Sequence, residues 1–330
     1  MWTALVVSIV ITVFCVASNN RVLKPYDKND SKSLQGIYAL LIVACHICNY
    51  MDSGEITPPI LQPFTNELRY LARFVVGGFF FISGYGIALS GGITSAKKLL
   101  SRLTKVMRPF LFFVIVYQLI LAMTIGLDMY KNMTCLCRGN TTYLLPNCWF
   151  VFVIIFFYVI SYVLYRIRSK MVKCAVLILF SMIIIVCLVR LQFGSHWYIS
   201  ILALPMGFII GSYKDIFEFY VLGHRYRCLA VCCSTLVTLY FSMVHTPLQL
   251  LSIAILPVLV TMTIKKFGLP KTAIVSYLGM ISYEIYLSHG IVLYCLKCAW
   301  VSNVLLVVFY TYVGTIIISD FYNRLLTCRK

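Results

Sequence analysis

Two apolar stretches of this 330-residue chain carry the side chains best suited to moving protons. The first is Ser33-Leu-Gln-Gly-Ile-Tyr-Ala-Leu-Leu-Ile-Val-Ala-Cys-His46. At about 100° per residue, the eleven steps from Gln35 to His46 end roughly 20° past three full turns, so the two share a helix face about 16 Å apart. Tyr38, Ile42 and Asn49 lie close to the same line. An imidazole in hydrocarbon is costly and normally faces a bundle interior or a wet cavity. Because it titrates near neutrality, it suits general acid–base work. His46 is therefore either a proton-transfer group or a packed side chain bonded to a neighbouring helix. The second stretch is Leu278-Gly-Met-Ile-Ser-Tyr-Glu-Ile-Tyr-Leu-Ser-His289. Ser282, Tyr286 and His289 follow i, i+4, i+7 and share a face, whereas Glu284 lies about 160–200° away. Glu284 is the one acid well inside an apolar run, near the depth expected of His46, and it needs a partner or a proton. His46 and Arg73 are both open as partners.

These residues need a scaffold, and the composition says which kind. The chain is 61% apolar and only 12% charged, with a mean hydropathy of +0.92; soluble domains are nearer half apolar and a quarter charged. Apolar runs of about 20 residues recur along it, which predicts an all-α, polytopic membrane bundle. Eleven spans are expected, at 2–18, 34–51, 72–91, 107–125, 149–165, 173–189, 196–213, 228–244, 247–264, 273–294 and 301–319. Residues 1–32 read as an N-terminal anchor helix with a basic linker, and 33–330 as one membrane domain. Cleavage after Ala17 is the lesser option for the first segment, which lacks a positive n-region.

The net charge of +18 is a matter of topology rather than of nucleic acid. With loops assigned alternately, all 28 Lys and Arg except Arg69, Arg73, Lys131, Arg138, Arg190 and Lys297 fall on one side. The positive-inside rule makes that side cytoplasmic, with the N-terminus outside and the C-terminus inside. On the outer side, Cys135, Cys137 and Cys148 could support a disulfide of undetermined pairing, and Asn132-Met-Thr and Asn140-Thr-Thr match the glycosylation pattern. Cys295-Leu-Lys-Cys298 lacks a second ligand pair, so no metal site is expected. Asn147-Cys-Trp149 and Ser195-His196-Trp197 read first as an interfacial aromatic belt, with His196 a candidate for an outer acceptor site. The glycines around Ser83 read as close packing before chemistry.

Four motifs in order give the chain a resemblance to the acyltransferase 3 family of integral-membrane acyltransferases. They are Leu34-Gln-Gly-Ile ending in His46; Gly78-Phe-Phe-Phe-Ile-Ser-Gly-Tyr85; the basic run Arg102 to Arg108 before Pro109; and Leu278-Gly-x-Ile-Ser-Tyr-x-x-Tyr-Leu-x-His289. The likeness runs from about Ser33 to the end, covering a ten-helix core and leaving the first helix as an addition. It implies an enzyme that moves an acyl group, often acetyl from acetyl-CoA, to a hydroxyl of a carbohydrate or lipid-linked glycan. The implied setting is a bacterial cytoplasmic membrane. His46 matches the family's essential histidine. The family commonly has Arg where this chain has Gln35, which loses a charge able to hold a CoA phosphate.

Under this reading His46 is the general base or a transient acyl carrier. Tyr283, Ser282 and His289 are candidate oxyanion donors, and Glu284 joins them in the catalytic set. Gln35, Tyr38, Lys98, Arg102, Lys105 and Arg108 would hold the acyl-CoA cosubstrate, and no permanently bound cofactor is expected. Lipids and a glycan acceptor are the expected partners. A transporter or lipid-handling protein would use the same buried His, Glu and Gly, although neither an internal repeat nor paired broken helices favour it. An inert relative, silenced by the change at Gln35, is the third reading.

Overall fold

The computed structural model describes residues 26–53, 56–126, 128–241, 246–269 and 272–327, and these are helical with no strand among them. The expected anchor span at 2–18 lies outside the described residues. Helix α1 (Lys28–Ser53) carries the Gln35–His46 stripe and starts on a reciprocal cap. Asp27 accepts from the backbone N–H of Asn29 and Asp30 at 2.7 and 2.8 Å, while Asp30 accepts from the N–H of Asp27 at 2.9 Å. These bonds satisfy donors that a helix start otherwise leaves orphaned. They also fix the rotation of everything that follows on α1.

Helices α2 (Gln62–Leu89), α3 (Ala96–Thr124), α4 (Met129–Cys137), α5 (Trp149–Leu164) and α6 (Lys170–Arg190) come next. After them run α7 (Ala203–Ser212), α8 (Arg225–Phe241), α9 (Thr246–Phe267), α10 (Ala273–Met280), α11 (Ser282–Cys298) and α12 (Val304–Thr327). Each expected span from 34–51 onward contains helix, although 196–213 is α-helical only from Ala203 and 228–244 is described only to Phe241. Among the described residues, six helices are long and apolar enough to cross a membrane: α1, α2 with the turn before it, α3, α6, α9 and α12. Helices α5, α7 and α8 are shorter apolar segments. The outward faces of α6 and α12 are apolar and exposed, as at Ile183, Val186, Phe309 and Ile317, which suits contact with lipid rather than water.

Two glycine crossings hold the centre together. A Cβ on Gly279 of α10 would stand 1.8 Å from the Lys32 carbonyl oxygen, and one on Gly36 of α1 would stand 2.5 Å from that of Val275. Between α2 and α7, a Cβ on Gly84 or Gly207 would come within 2.0 Å of the Leu204 or Phe81 carbonyl oxygen. Such backbone-to-backbone approach is what small residues allow in helices surrounded by lipid.

Several expectations change here. The single span expected at 273–294 is two helices broken at Ile281, immediately after the glycine crossing. The span expected from 107 begins earlier, at Ala96, so that the basic run before Pro109 is helical. Pro109 lies inside α3, whose start is capped by the Ser95 hydroxyl accepting from Lys98 N–H at 3.3 Å, so Pro109 leaves the Lys105 carbonyl without its usual donor. Part of the outer loop is helix α4, and Cys135, Cys137 and Cys148 are free thiols. Asn132 is buried with its amide donating to Gln118 Oε1 at 3.1 Å, so it cannot serve as a glycan acceptor, whereas Asn140 is exposed. The tryptophans are not a belt. Trp149 and Trp197 are buried, and Trp197 donates to the Gly139 carbonyl at 2.7 Å.

Candidate functional site

Two cavities meet inside the bundle. The first, of about 450 Å³, lies between α1, α2, α3, α5 and the α10–α11 break, and is lined by Gln35, Ser83, Tyr158, Ser282, Tyr283 and Tyr286. It continues into a cleft of about 520 Å³ that shares Lys32, Gln35, Ser83 and Tyr158 and adds Arg102 and Tyr85. A groove of about 440 Å³ beside it holds Lys98, Arg102 and Lys105. Arg102 donates to Ser90 Oγ at 2.9 Å and stands 5.6 Å over the Tyr158 ring. The Tyr85 hydroxyl is buried in the cleft with no hydrogen-bond partner among the described residues, which leaves it open to a ligand.

The second cavity, of about 500 Å³, holds His46, Asn49, Arg73, Trp149 and His196. Arg69 at its mouth is paired with Asp52. Val76 and Tyr286 line both cavities and form the partition between them. Asn49 and Asn66, at the far rim, are exposed, whereas Asp27 and Lys28 mark the opposite opening.

Behind His46 lies His289, fully buried, with ring centroids 4.8 Å apart and planes inclined by 31°. Two hydrogen-bonding groups flank the His289 ring. Its Nδ1 lies 3.3 Å from the Ile285 carbonyl, which only accepts, and its Nε2 lies 3.5 Å from the Asn147 amide nitrogen. This arrangement suits a ring that carries its proton on Nδ1. Asn147 also accepts the Tyr286 hydroxyl on its backbone carbonyl. It sits at φ 64°, a left-handed conformation that Asn tolerates better than most residues. One loop residue thus orients both the partition and the histidine behind the site.

The structure brings together His46, His289 and Tyr286, and gathers Gln35, Ser282 and Tyr283 around the first cavity. Ser282 donates to the Gly279 carbonyl at 3.1 Å and Tyr283 to the Val106 carbonyl at 3.1 Å. Glu284 lines neither cavity and has no ion pair among the described residues, so it joins neither His46 nor Arg73. The level of His46 is met by His289 instead, five residues or about 7.5 Å farther along α11. Tyr38 lies outside the cavities, its ring so close to α2 that a Cβ on Gly78 would stand 2.2 Å away. Arg108 also lines none of the cavities described. His196 does join His46, with its ring 5.8 Å from Trp149. Sequence reasoning missed Lys32, Tyr85 and Asn147 as site residues. Lys32 was legible as lying three residues before Gln35 on the same face.

The described residues form a helical bundle suited to a membrane, with two cavities meeting beside a histidine pair. The chain belongs to the acyltransferase 3 family: the family model, described as an acyltransferase domain, matches residues 31–324, nearly the whole chain. No curated protein and no solved structure matches it.

Proposed function

We propose that the protein transfers an acyl group, acetyl in the simplest case, from acyl-CoA to a hydroxyl of a carbohydrate or lipid-linked glycan. The observation that carries this reading is the pair of cavities meeting at Val76 and Tyr286, each with groups suited to one substrate. On the first side, Lys98, Arg102, Lys105 and Lys32 suit the phosphates of the donor, and the narrower cavity beyond them suits its pantetheine arm. On the other, Arg73, Asn49 and His196 beside the Trp149 and Tyr70 rings suit a sugar, which needs polar contacts and an apolar platform.

The chemistry follows from His46. Its imidazole takes the proton of the acceptor hydroxyl, the oxygen attacks the thioester carbonyl, the C–S bond breaks, and the thiolate leaves with that proton. In the stepwise variant His46 carries the acyl group before passing it to the hydroxyl. Tyr286 stands at the partition, and its hydroxyl can turn to a developing oxyanion only by giving up its bond to the Asn147 carbonyl. Lys32 supports activity despite Gln35, because it lines both donor-side cavities from the same face of α1. The bias of basic residues supports donor arrival from the cytoplasm, with the C-terminus on that side of a bacterial cytoplasmic membrane.

The test is transfer from labelled acetyl-CoA in membranes containing wild type or His46→Ala at matched protein levels. The expected result is label in glycan or lipid with wild type and a loss of about 10²–10⁴-fold in the variant. Equal labelling in both would remove His46 from the mechanism, and no labelling in either would remove acetyl-CoA as donor.

A further inference from the structure

Beside the donor cleft, on the other side of the turn Ser90–Gly92, lies a separate cavity of about 310 Å³. The reaction proposed above makes no use of it. Its mouth carries Lys170, Lys173 and Lys214 against one acid, Asp215. Its depth is apolar, with Leu164, Leu177 and Phe208. At its wall sits Ser161, 7% exposed, whose hydroxyl has no hydrogen-bond partner among the described residues. A buried hydroxyl left unpaired is a cost unless something fills its place. Lys170 and Lys173 have no ion pair among the described residues, and Lys173 instead stands 5.4 Å over the Tyr165 ring. Lys214 is 4.0 Å from Glu218, but that carboxylate is committed at 2.5 Å to buried Lys265. Two cations are thus unpaired and a third weakly paired, above an apolar floor.

One helix also links the cavity to the exposed apolar surface. Helix α6 contributes Lys170, Lys173 and Leu177 to it, while its other faces expose Ile178, Leu179 and Ile183. A ligand that fits has an anionic phosphate for the lysines and hydrocarbon for the floor. We propose that this cavity binds the phosphate headgroup of an acidic phospholipid, with one acyl chain against Leu177 and Phe208. The same phosphate chemistry is offered by a soluble source, the nucleotide end of CoA, because Leu89 and Gly92 border both this cavity and the donor clefts.

Native mass spectrometry of the purified full chain in detergent distinguishes them, with phosphatidylglycerol, phosphatidylcholine or CoA titrated in. Wild type is expected to hold one phosphatidylglycerol in preference to phosphatidylcholine, undisturbed by millimolar CoA. The triple variant K170Q/K173Q/K214Q should bind it about a hundredfold more weakly, from about fivefold for each basic residue at a membrane surface. Ser161→Leu, which fills the wall and keeps all three lysines, should lose the lipid as well. Unchanged lipid binding in either variant would overturn the proposal. Displacement by CoA would overturn it in favour of the soluble phosphate.

Discussion

The Gly36–Gly279 crossing makes a quantitative prediction for Gly279→Ala. The new methyl would stand 1.8 Å from the Lys32 carbonyl oxygen, where ordinary contact begins at 3.4 Å, so α1 and α10 must separate by about 1.6 Å. Overpacking of this kind costs about 1–3 kcal/mol, and a clash with backbone puts this case at the upper end. The same movement carries Lys32 and Gln35 away from Ser282 and Tyr283 across the donor cavity. Since about 1 Å of misplacement can cost 10²-fold in rate, turnover should fall by about that factor. Gly86→Ala on α2 is the control for stability only, because a Cβ there meets nothing within 4 Å and Ala is the better helix former by up to about 1 kcal/mol, while its place in the donor cleft sets its turnover apart. The assay pairs thermal unfolding in detergent with labelled acetyl transfer, measured well below either midpoint so that only folded protein is compared. Wild-type midpoint and turnover in Gly279→Ala would refute the reasoning, as would an equal fall in the unfolding midpoint of Gly86→Ala.

Other outcomes follow from the site. Lys32→Gln should raise KM for acyl-CoA about tenfold with little change in kcat, whereas Gln35→Arg should leave turnover near wild type; a large gain with Arg would favour the inert-relative reading. Tyr286→Phe leaves the Asn147 carbonyl without its donor and should lower stability by about 1–3 kcal/mol, visible as a lower unfolding midpoint. In a glycosylating host, Asn140→Gln should abolish any glycan mass on the chain and Asn132→Gln should not, since the Asn132 amide is bonded to Gln118. Glycan lost with Asn132→Gln would contradict the burial of α4.

The sequence was most legible where a helix is regular. Gln35 and His46 share a face because α1 runs unbroken from its cap, and angular counting holds over that distance. The Ser282, Tyr286 and His289 face was legible for the same reason, since all three lie on α11 beyond the break. Glu284 was misplaced in level because depth was counted along one helix, and the interruption at Ile281 ends that count. Gly279 beside Ile281 was the available signal, but glycine there also reads as close packing. Tyr38 packs outside the cavities described because its ring meets Gly78 of another helix, and no spacing on α1 reveals that pairing. Asn147 went unrecognised as a site residue because its role rests on a left-handed backbone and two contacts with α11, both tertiary in origin.

The partition at Val76 and Tyr286 has an electrical consequence. Two hydrated cavities opening towards opposite faces bring each aqueous phase deep into the protein, so a transmembrane voltage falls mainly across whatever stays dry between them. Here that is the layer formed by Val76 and Tyr286, in place of a full hydrocarbon layer of about 30 Å. One elementary charge moved through the full drop is worth about 2.3 kcal/mol per 100 mV. If His46 takes a proton on one side and the leaving thiolate receives it on the other, each turnover shifts charge through that concentrated field, and its rate will respond to membrane potential. If the proton returns to the side it came from, the rate will not.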